Sequence, residues 1–314
     1  NDHRLGANEA PPAIVSIFLG EQLFEILEKL AAGETVTAQD GRVLEIGVNA
    51  LPALPMDVTD RNRTSPFAFT GNRFEFRMCG SSQSIAGSTI VLTTAMADVL
   101  GEIADRLEGG SDALNEAKNI ILENYRNHRR IVFNGNGYGD AWVAEAEKRG
   151  LPNISSSVEA LLEYGKDASV SLFGKHNVLS RAEVESRVVI YLETYSMQTN
   201  IEAGVMVEMA ERLIYPAVAK YASKVATACE GFVRAGLPCE EQKKLLTDLN
   251  TNMEGLLKAS RALNDRVRTA GELEHDPRAQ ALEYHNSVVP AMAELRIWAD
   301  GLEKMTDKRL WPYP

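Results

Sequence analysis

Cysteine is scarce in this chain. Three cysteines in 314 residues are too few for a disulfide framework or a cysteine-based zinc site. No uninterrupted apolar run approaches the roughly 20 residues that a membrane helix needs, and no signal or transit segment is recognisable. Positively charged residues are also in the minority. The chain has 33 Lys and Arg against 44 Asp and Glu, which gives a net charge of -11. We therefore expect a cytoplasmic protein with neither a nucleic-acid nor a membrane partner.

The composition that remains is that of an ordinary globular protein. Apolar residues make up 45% of the chain and charged residues 25%. These fractions are enough for a hydrophobic core and argue against disorder.

The run Arg73-Phe74-Glu75-Phe76-Arg77 alternates charged and aromatic side chains with the period of a β-strand. The three charged side chains then share one face, about 7 Å apart, and the aromatic face is expected to be buried. Two guanidiniums can grip an anionic substrate while the carboxylate between them binds a hard cation. The alternative is an exposed strand face on which these charges satisfy one another.

Two turn-rich segments precede this strand. Residues 60–67 form a loop that carries Arg61 and Arg63, and residues 1–14 contain glycine and asparagine and end near a double proline. Loops of this composition are typical of binding sites.

The three segments, in this order, resemble the second half of a glutamine synthetase catalytic domain, in detail that of type III. Residues 1–12 resemble the flap over the glutamate site, residues 63–69 the phosphate-binding stretch and residues 73–77 the metal-bearing strand. Residues 133–138 and 142–152 are also similar to type III sequences, so the resemblance covers essentially the whole chain.

The resemblance implies ATP-dependent ligation of ammonia to the side-chain carboxylate of glutamate, through γ-glutamyl phosphate, with Mg²⁺ or Mn²⁺. Glutamate, ammonium and ATP are the implied partners. On the flap and loop, Glu9 would be catalytic and would also bind substrate, Arg4 would bind glutamate, and Arg63 would contact ATP and the transferring phosphoryl group.

On the strand, the resemblance implies that Arg73 binds the ATP phosphates, Glu75 ligates the metal and Arg77 binds glutamate. The chain departs from the better-known bacterial type I pattern at two positions, because Ala68 and Thr70 stand where basic residues are expected.

The family's other metal ligands, its glutamate-binding Asn-Gly segment and its N-terminal β-grasp domain precede the flap. We therefore expect this chain alone to be inactive. The resemblance further implies that the full-length protein forms a double-ring homo-oligomer with active sites between subunits.

The expected fold class is α+β. Residues 1–197 are expected to be the C-terminal portion of the catalytic β-barrel domain, and residues 198–314 the helical C-terminal extension of type III enzymes. The glycines of residues 134–140 are interpreted as a connecting turn, since their spacing and context do not suit a dinucleotide loop.

Apolar spacing predicts an amphipathic helix from Ile14 to Leu30, with Gly33 just beyond its end. A second helix is predicted from Ser84 to Leu107. Its expected core positions are Ile90, Leu92, Met96, Leu100 and Ile103.

Residues 180–183 read as a capping box that opens a further helix. Two heptad seams follow, over residues 246–267 and 281–302, and predict an antiparallel helix pair joined across residues 271–277. Packing within the chain is the default interpretation, and a contact between subunits is the alternative. His285 is interpreted as a core histidine.

Three functions remain open from the sequence. The first is a glutamine synthetase, the second a γ-glutamyl ligase for another amine such as a polyamine, and the third a non-catalytic binding or assembly protein of the same fold. The presence of Glu9 and Glu75 favours an enzyme.

Overall fold

A computed structural model describes residues 12–34, 43–44, 54–55, 67–69, 73–76 and 84–314. The chain divides into two compact units, Asn1–Arg181 and Ala182–Pro314. The described residues are mainly helical with a few short strands, as expected for the C-terminal part of this α+β fold. That the strands belong to a β-barrel stays a prediction.

The described residues of the first unit form five short strands in two sheets. Three of them form a sheet in which β4 (Phe67–Phe69) lies between β1 (Ile17–Phe18) and β5 (Phe74–Phe76). The β1–β4 pair is parallel and the β4–β5 pair antiparallel. The other two, β2 (Val43–Leu44) and β3 (Leu54–Pro55), pair antiparallel.

The structure also describes six helices in the first unit. They are α1 (Glu21–Ala31), α2 (Ala86–Gly109), α3 (Ala113–His128), α4 (Asp140–Lys148), α5 (Ser157–Tyr164) and α6 (Asp167–Lys175), with a 3₁₀ turn at Arg129–Ile131. The Asp112 and Ser156 side chains cap α3 and α5 by accepting hydrogen bonds from backbone N–H groups.

The predicted helix from Ile14 to Leu30 begins too early. The chain is extended through β1, and α1 begins only after Gly20, whose φ of +79° suits glycine. Ile14 is buried outside the helix. The apolar spacing of this extended segment continues that of the helix, so periodicity alone cannot separate the two. The predicted C-terminal boundary is confirmed, since Gly33 follows α1 with φ +81°.

A small aromatic core holds the residues just before α4. The rings of Phe133 and Trp142 stack with centroids 3.9 Å apart, and Ile14 and Ala146 are buried beside them. The guanidinium of Arg149 lies over both rings and donates to the Val132 carbonyl at 2.9 Å.

The segment after Phe133 connects this core to β1. The Phe133 N–H donates to the Ile17 carbonyl at 2.9 Å, and Asn134 Oδ1 accepts from the N–H groups of Leu19 and Gly20 at 3.0 and 3.1 Å. Residues 134–140 then lead into α4, which confirms the interpretation as a connecting turn.

Helix α2 exposes much of its apolar surface. It packs on α3 and α6, and Thr94 is its one fully buried residue. Met96 and Leu100 were expected in the core but are exposed, because α2 carries apolar side chains on more than the face that these two helices cover.

Among the described helices, α2 alone is long and apolar enough to cross a membrane by length and composition. This property was not predicted, because glycine, serine, threonine and, from Asp98 onward, acidic residues interrupt the apolar runs of α2. A single such helix is weak evidence of a membrane span, and Asp98 on this helix pairs with Lys175 of α6.

The second unit is a helical assembly. Its helices are α7 (Arg181–Glu208), α8 (Tyr215–Arg234), α9 (Glu240–Gly271), α10 (Pro277–Glu283) and α11 (Val289–Met305). Two π-helical segments, Met209–Ile214 and Tyr284–Val288, join α7 to α8 and α10 to α11. The start of α7 at Arg181 agrees with the predicted capping box.

The predicted antiparallel helix pair is confirmed. Helix α9 ends at Gly271, the next helix begins at Pro277, and α11 packs along α9. The helices approach so closely that a Cβ added to Gly255 would lie 2.4 Å from the Trp298 ring. The core of this unit includes Leu249, Leu256, Leu263, Val288, Leu295 and Leu302.

A disulfide between Cys229 and Cys239 links the end of α8 to the residue before α9. Both cysteines are buried. Three cysteines are too few for a disulfide framework, and this one disulfide connects the two helices of a single hairpin. The predicted domain boundary after residue 197 falls inside α7 and stays a prediction, because a family's domain is defined by shared sequence as well as by packing.

Candidate active site

The antiparallel pairing of β4 and β5 positions the described part of the candidate site. Phe67 pairs with Phe76, Ala68 with Glu75 and Phe69 with Phe74. Ala68 is therefore the direct cross-strand neighbour of the proposed metal ligand.

Arg73 and Glu75 lie side by side. Arg73 Nη2 is 3.4 Å from Glu75 Oε1, a distance that an ion pair two residues apart reaches when both side chains leave the strand on one side. Arg73 is exposed and Glu75 is partly buried. The arrangement places a fixed positive charge beside a carboxylate that has lost part of its hydration.

The aromatic side of the strand differs from the expectation. Phe74 stacks on Phe67 with ring centroids 5.4 Å apart, and Phe76 lies 6.2 Å from the same ring. Phe74 and Phe76 nevertheless keep 47% and 42% of their surface exposed, so the expected buried face is wrong. Alternation predicts which side chains share a face, but whether another layer covers that face depends on the rest of the fold.

The other predicted site residues are Arg4, Glu9, Arg63 and Arg77. They lie outside the described residues, as do residues 1–11 of the proposed flap and residues 60–66 of the proposed phosphate loop. Their roles stay predictions.

Glu75 suits a hard cation as one ligand among several. Its carboxylate supplies the oxygen donor that Mg²⁺ and Mn²⁺ prefer. Within the part of the chain that the structure describes, no group of three or more His, Cys, Asp and Glu residues could hold a metal ion. Glu75 thus fits a divalent metal only together with ligands from elsewhere.

An ion cluster that was not predicted from the sequence joins α2 to the end of α6. Asp98 Oδ1 lies 2.6 Å from Lys175 Nζ and 2.8 Å from His176 Nε2. Hydrogen bonds from these two groups hold the pKa of the Asp98 carboxyl below its ordinary value, and the same pairing raises the pKa of Lys175. The cluster links two helices whose residues are far apart in the sequence, so no local spacing could have indicated it.

A second such cluster joins α1 to α3. The Tyr125 hydroxyl donates to Glu28, and Arg129 Nη2 lies 2.9 Å from the other Glu28 oxygen. Burial, and then the hydrogen bond to Glu28, raises the pKa of Tyr125. The hydroxyl therefore stays protonated at neutral pH and acts as a structural donor.

His285 agrees with its interpretation as a core histidine. Its Nδ1 lies 3.2 Å from the Tyr195 hydroxyl, and the residue is partly buried within the second unit. This polar contact is typical of a histidine satisfied inside a helical core.

Comparison with known proteins gives a consistent picture. Residues 116–232 match the glutamine synthetase C-terminal domain family. The whole chain is 35% identical to a type-3 glutamine synthetase of Dictyostelium discoideum, of which it covers 44%. It is 34% identical to glutamine synthetases of Bacteroides fragilis and Butyrivibrio fibrisolvens, again over the whole chain and covering 45% of each.

The chain therefore spans less than half the length of these relatives. The resemblance found in the sequence is confirmed by this whole-chain similarity. Over all its residues this chain is similar to part of a type-3 glutamine synthetase, and its residues 116–232 match the glutamine synthetase C-terminal domain family.

Proposed function

We propose that the protein is a glutamine synthetase, which ligates ammonia to glutamate at the expense of ATP. The observation that carries this proposal is similarity along the whole chain to three proteins named glutamine synthetase. In the proposed reaction the γ-phosphoryl group of ATP passes to the side-chain carboxylate of glutamate. Ammonia then attacks the carbonyl carbon, and phosphate leaves as the C–N bond forms.

Glu75 would contribute one oxygen ligand to a bound Mg²⁺ or Mn²⁺. Such an ion, when bound, neutralises negative charge on the ATP phosphates. Arg73 lies 3.4 Å from this carboxylate and carries a planar, positively charged guanidinium. It would therefore bind ATP phosphate oxygens while keeping the Glu75 carboxylate in place.

The remaining roles fall on four residues. Arg4 and Arg77 would hold the carboxylates of glutamate through paired N–H donors. Arg63 would stabilise the negative charge that grows on the transferring phosphoryl group. Glu9 would bind ammonium and accept its proton, so that neutral ammonia becomes the nucleophile.

The chain covers less than half of its relatives and would supply only part of each site. We expect the isolated 314-residue chain to be inactive. We also propose that the complete protein acts in the cytoplasm as a double-ring homo-oligomer whose sites lie between subunits.

The test is phosphate release from ATP by the full-length gene product, with glutamate and ammonium present. Glu75→Gln keeps the size of the side chain and removes its charge, so turnover is expected to fall at least about 100-fold, in the range of a lost electrostatic contact. Glu303→Gln is the matched control, because Glu303 is exposed on α11 of the second unit, and it should retain full activity.

The alternatives predict different results. Turnover with a polyamine but not with ammonium would assign the chain to a γ-glutamyl ligase for another amine. No turnover with any amine, from a folded oligomer, would favour a non-catalytic protein. Equal activity of wild type and Glu75→Gln would reject the metal ligand while leaving the enzyme class intact.

A further inference from the structure

Helix α7 has apolar side chains on two opposite faces. Leu192, Ser196, Thr199 and Ala203 on one face are buried, and Ala203 belongs to the core of the second unit. The opposite face carries Ile190, Met197, Ile201 and Val205, with 53%, 55%, 57% and 48% of their surface exposed. At 100° per residue these four lie within an arc of about 80°, and they form what we call the outer α7 stripe.

A continuous exposed stripe of this kind needs a partner. Single exposed apolar residues are ordinary, whereas a row of four along one helix face is typical of an interface. The opposite face of α7 is the one that is buried, so the outer stripe is left uncovered in the described part of the chain.

The charges at the two ends of the stripe indicate the partner. Glu183 and Arg187 stand at its N-terminal end, and Glu208 and Arg212 at its C-terminal end. Arg187 donates to the Glu183 carbonyl at 3.2 Å, and Arg212 pairs with Glu208 at 3.3 Å. At each end of the stripe an acidic residue thus precedes a basic one in the sequence. The two ends lie about 30 Å apart along the helix.

When two copies of α7 run in opposite directions, this order of charges places acidic residues of one copy opposite basic residues of the other. In an antiparallel pair centred between Met197 and Gln198, Arg187 comes within about one turn of the partner's Glu208, and Glu183 of the partner's Arg212. The same operation brings Ile190 opposite Val205 and Thr194 opposite Ile201. A parallel pair would instead place like charges together, since Arg187 would meet Arg187.

We infer that the outer α7 stripe is a contact between two copies of this chain, which pair their α7 helices antiparallel about a two-fold axis near residue 197. The contact is isologous, because each copy contributes the same stripe. One helix pair buries less area than a standard interface, so the contact alone gives a weak dimer.

The experiment is analytical ultracentrifugation of the 314-residue chain from about 1 μM to 1 mM, a range that captures weak association. Wild type is expected to dimerise with rising concentration. Arg187→Glu and Glu208→Arg should each weaken dimerisation at least about 10-fold, because each places like charges at both ends of the interface. Arg266→Glu, an exposed charge reversal on α9, is the matched control and should dimerise like wild type.

Mixing tests the antiparallel geometry directly. An equimolar mixture of Arg187→Glu and Glu208→Arg restores both cross-copy pairs, Glu with Arg and Arg with Glu, and so should dimerise although neither variant does alone. The double variant should likewise recover dimerisation. Circular dichroism of each variant checks that it is folded.

Other results overturn the inference. A wild-type chain that stays monomeric up to 1 mM shows that something other than a second copy covers the stripe. Dimerisation that both single variants retain places the contact elsewhere. Weakening without recovery in the mixture excludes the antiparallel arrangement.

Discussion

Asn134 joins two segments that lie more than 110 residues apart in the sequence. Its side-chain oxygen accepts from two consecutive N–H groups, those of Leu19 and Gly20, just before α1. These donors are partly buried, so losing their acceptor carries a desolvation cost.

Asn134→Ala is expected to lower the free energy of unfolding by about 1–3 kcal/mol, because two N–H groups lose their partner. Urea denaturation measures the change. Asn115→Ala is the matched control, since Asn115 is exposed near the start of α3, and its effect should stay within about 0.5 kcal/mol. Equal effects of the two variants would show that the Asn134 contacts are not stabilising.

The Asp98 cluster predicts a pH dependence. The pKa of Asp98 is lowered in the folded chain, so its contribution to stability is complete above the ordinary carboxyl pKa of the unfolded chain. The contribution is lost as the pH falls through the lowered value.

The pKa of Asp98 is lowered by hydrogen bonds from Lys175 and His176, of which the Lys175 bond has the larger effect. Lys175→Ala removes this bond, so the pKa of Asp98 should rise towards its ordinary value. A ¹³C NMR titration of the aspartate carboxyl groups measures this shift. Lys148→Ala, an exposed substitution on α4, should leave the Asp98 titration unchanged. An Asp98 pKa that does not respond to Lys175→Ala would contradict the assignment.

At the residue scale, the sequence did not predict the hydrogen bonds of Asn134 or the ion pairs of Asp98. Asn134 and Asp98 find partners across long sequence separations, which no local pattern encodes. Of the six predicted site residues, Arg73 and Glu75 lie within the described part of the chain, and their proximity followed from strand alternation alone. Strand alternation also suggested that the arginines bind an anion and Glu75 a cation, whereas the substrates assigned to all six residues came from the resemblance.

At the element scale, helices whose pattern repeats over many turns were predictable. The seams of α9 and α11 span several heptads, so chance apolar spacing is averaged out. The start of α1 was missed because the short extended segment before it continues the helical spacing. The exposed face of α2 was missed because periodicity finds apolar faces but not what covers them.

Gly255 is the position of the α9–α11 pair at which we expect an added side chain to destabilise the packing most. A Cβ at this position would lie 2.4 Å from the Trp298 ring, so Gly255→Ala must separate the helices or displace the indole. We expect a loss of about 1–3 kcal/mol in the free energy of unfolding, as for other overpacked cores.

The matched control is Gly231→Ala within α8, where an added Cβ would meet no atom within 4 Å. This change should be neutral or stabilise the protein by up to about 1 kcal/mol, since alanine favours the helix. Thermal unfolding of both variants measures the difference. A Gly255→Ala variant as stable as Gly231→Ala would refute the close helix approach.

At the scale of the whole molecule, composition indicated a globular protein with a hydrophobic core, and the resemblance agrees with the relatives that the chain matches. The division into Asn1–Arg181 and Ala182–Pro314 was not predicted, because α7 starts at this point without a linker of distinct composition. Contacts between distant segments, rather than local sequence, define such units.

The net charge of -11 predicts that the chain does not bind nucleic acid. In a fluorescence polarisation assay with a labelled DNA duplex at physiological salt, we expect a dissociation constant weaker than about 10⁻⁴ M, the weak end of non-specific binding. A basic DNA-binding protein serves as the positive control. Tight, salt-dependent binding would show that locally clustered arginines outweigh the overall charge.

The positions of the three tryptophans give each unit its own optical signal. Trp142 lies in the aromatic core of the first unit, while Trp298 and Trp311 pack in the second. Replacing Trp298 and Trp311 by phenylalanine would leave emission from the first unit alone, and replacing Trp142 would leave that of the second. Intrinsic fluorescence can therefore follow the unfolding of either half of the chain without an attached dye.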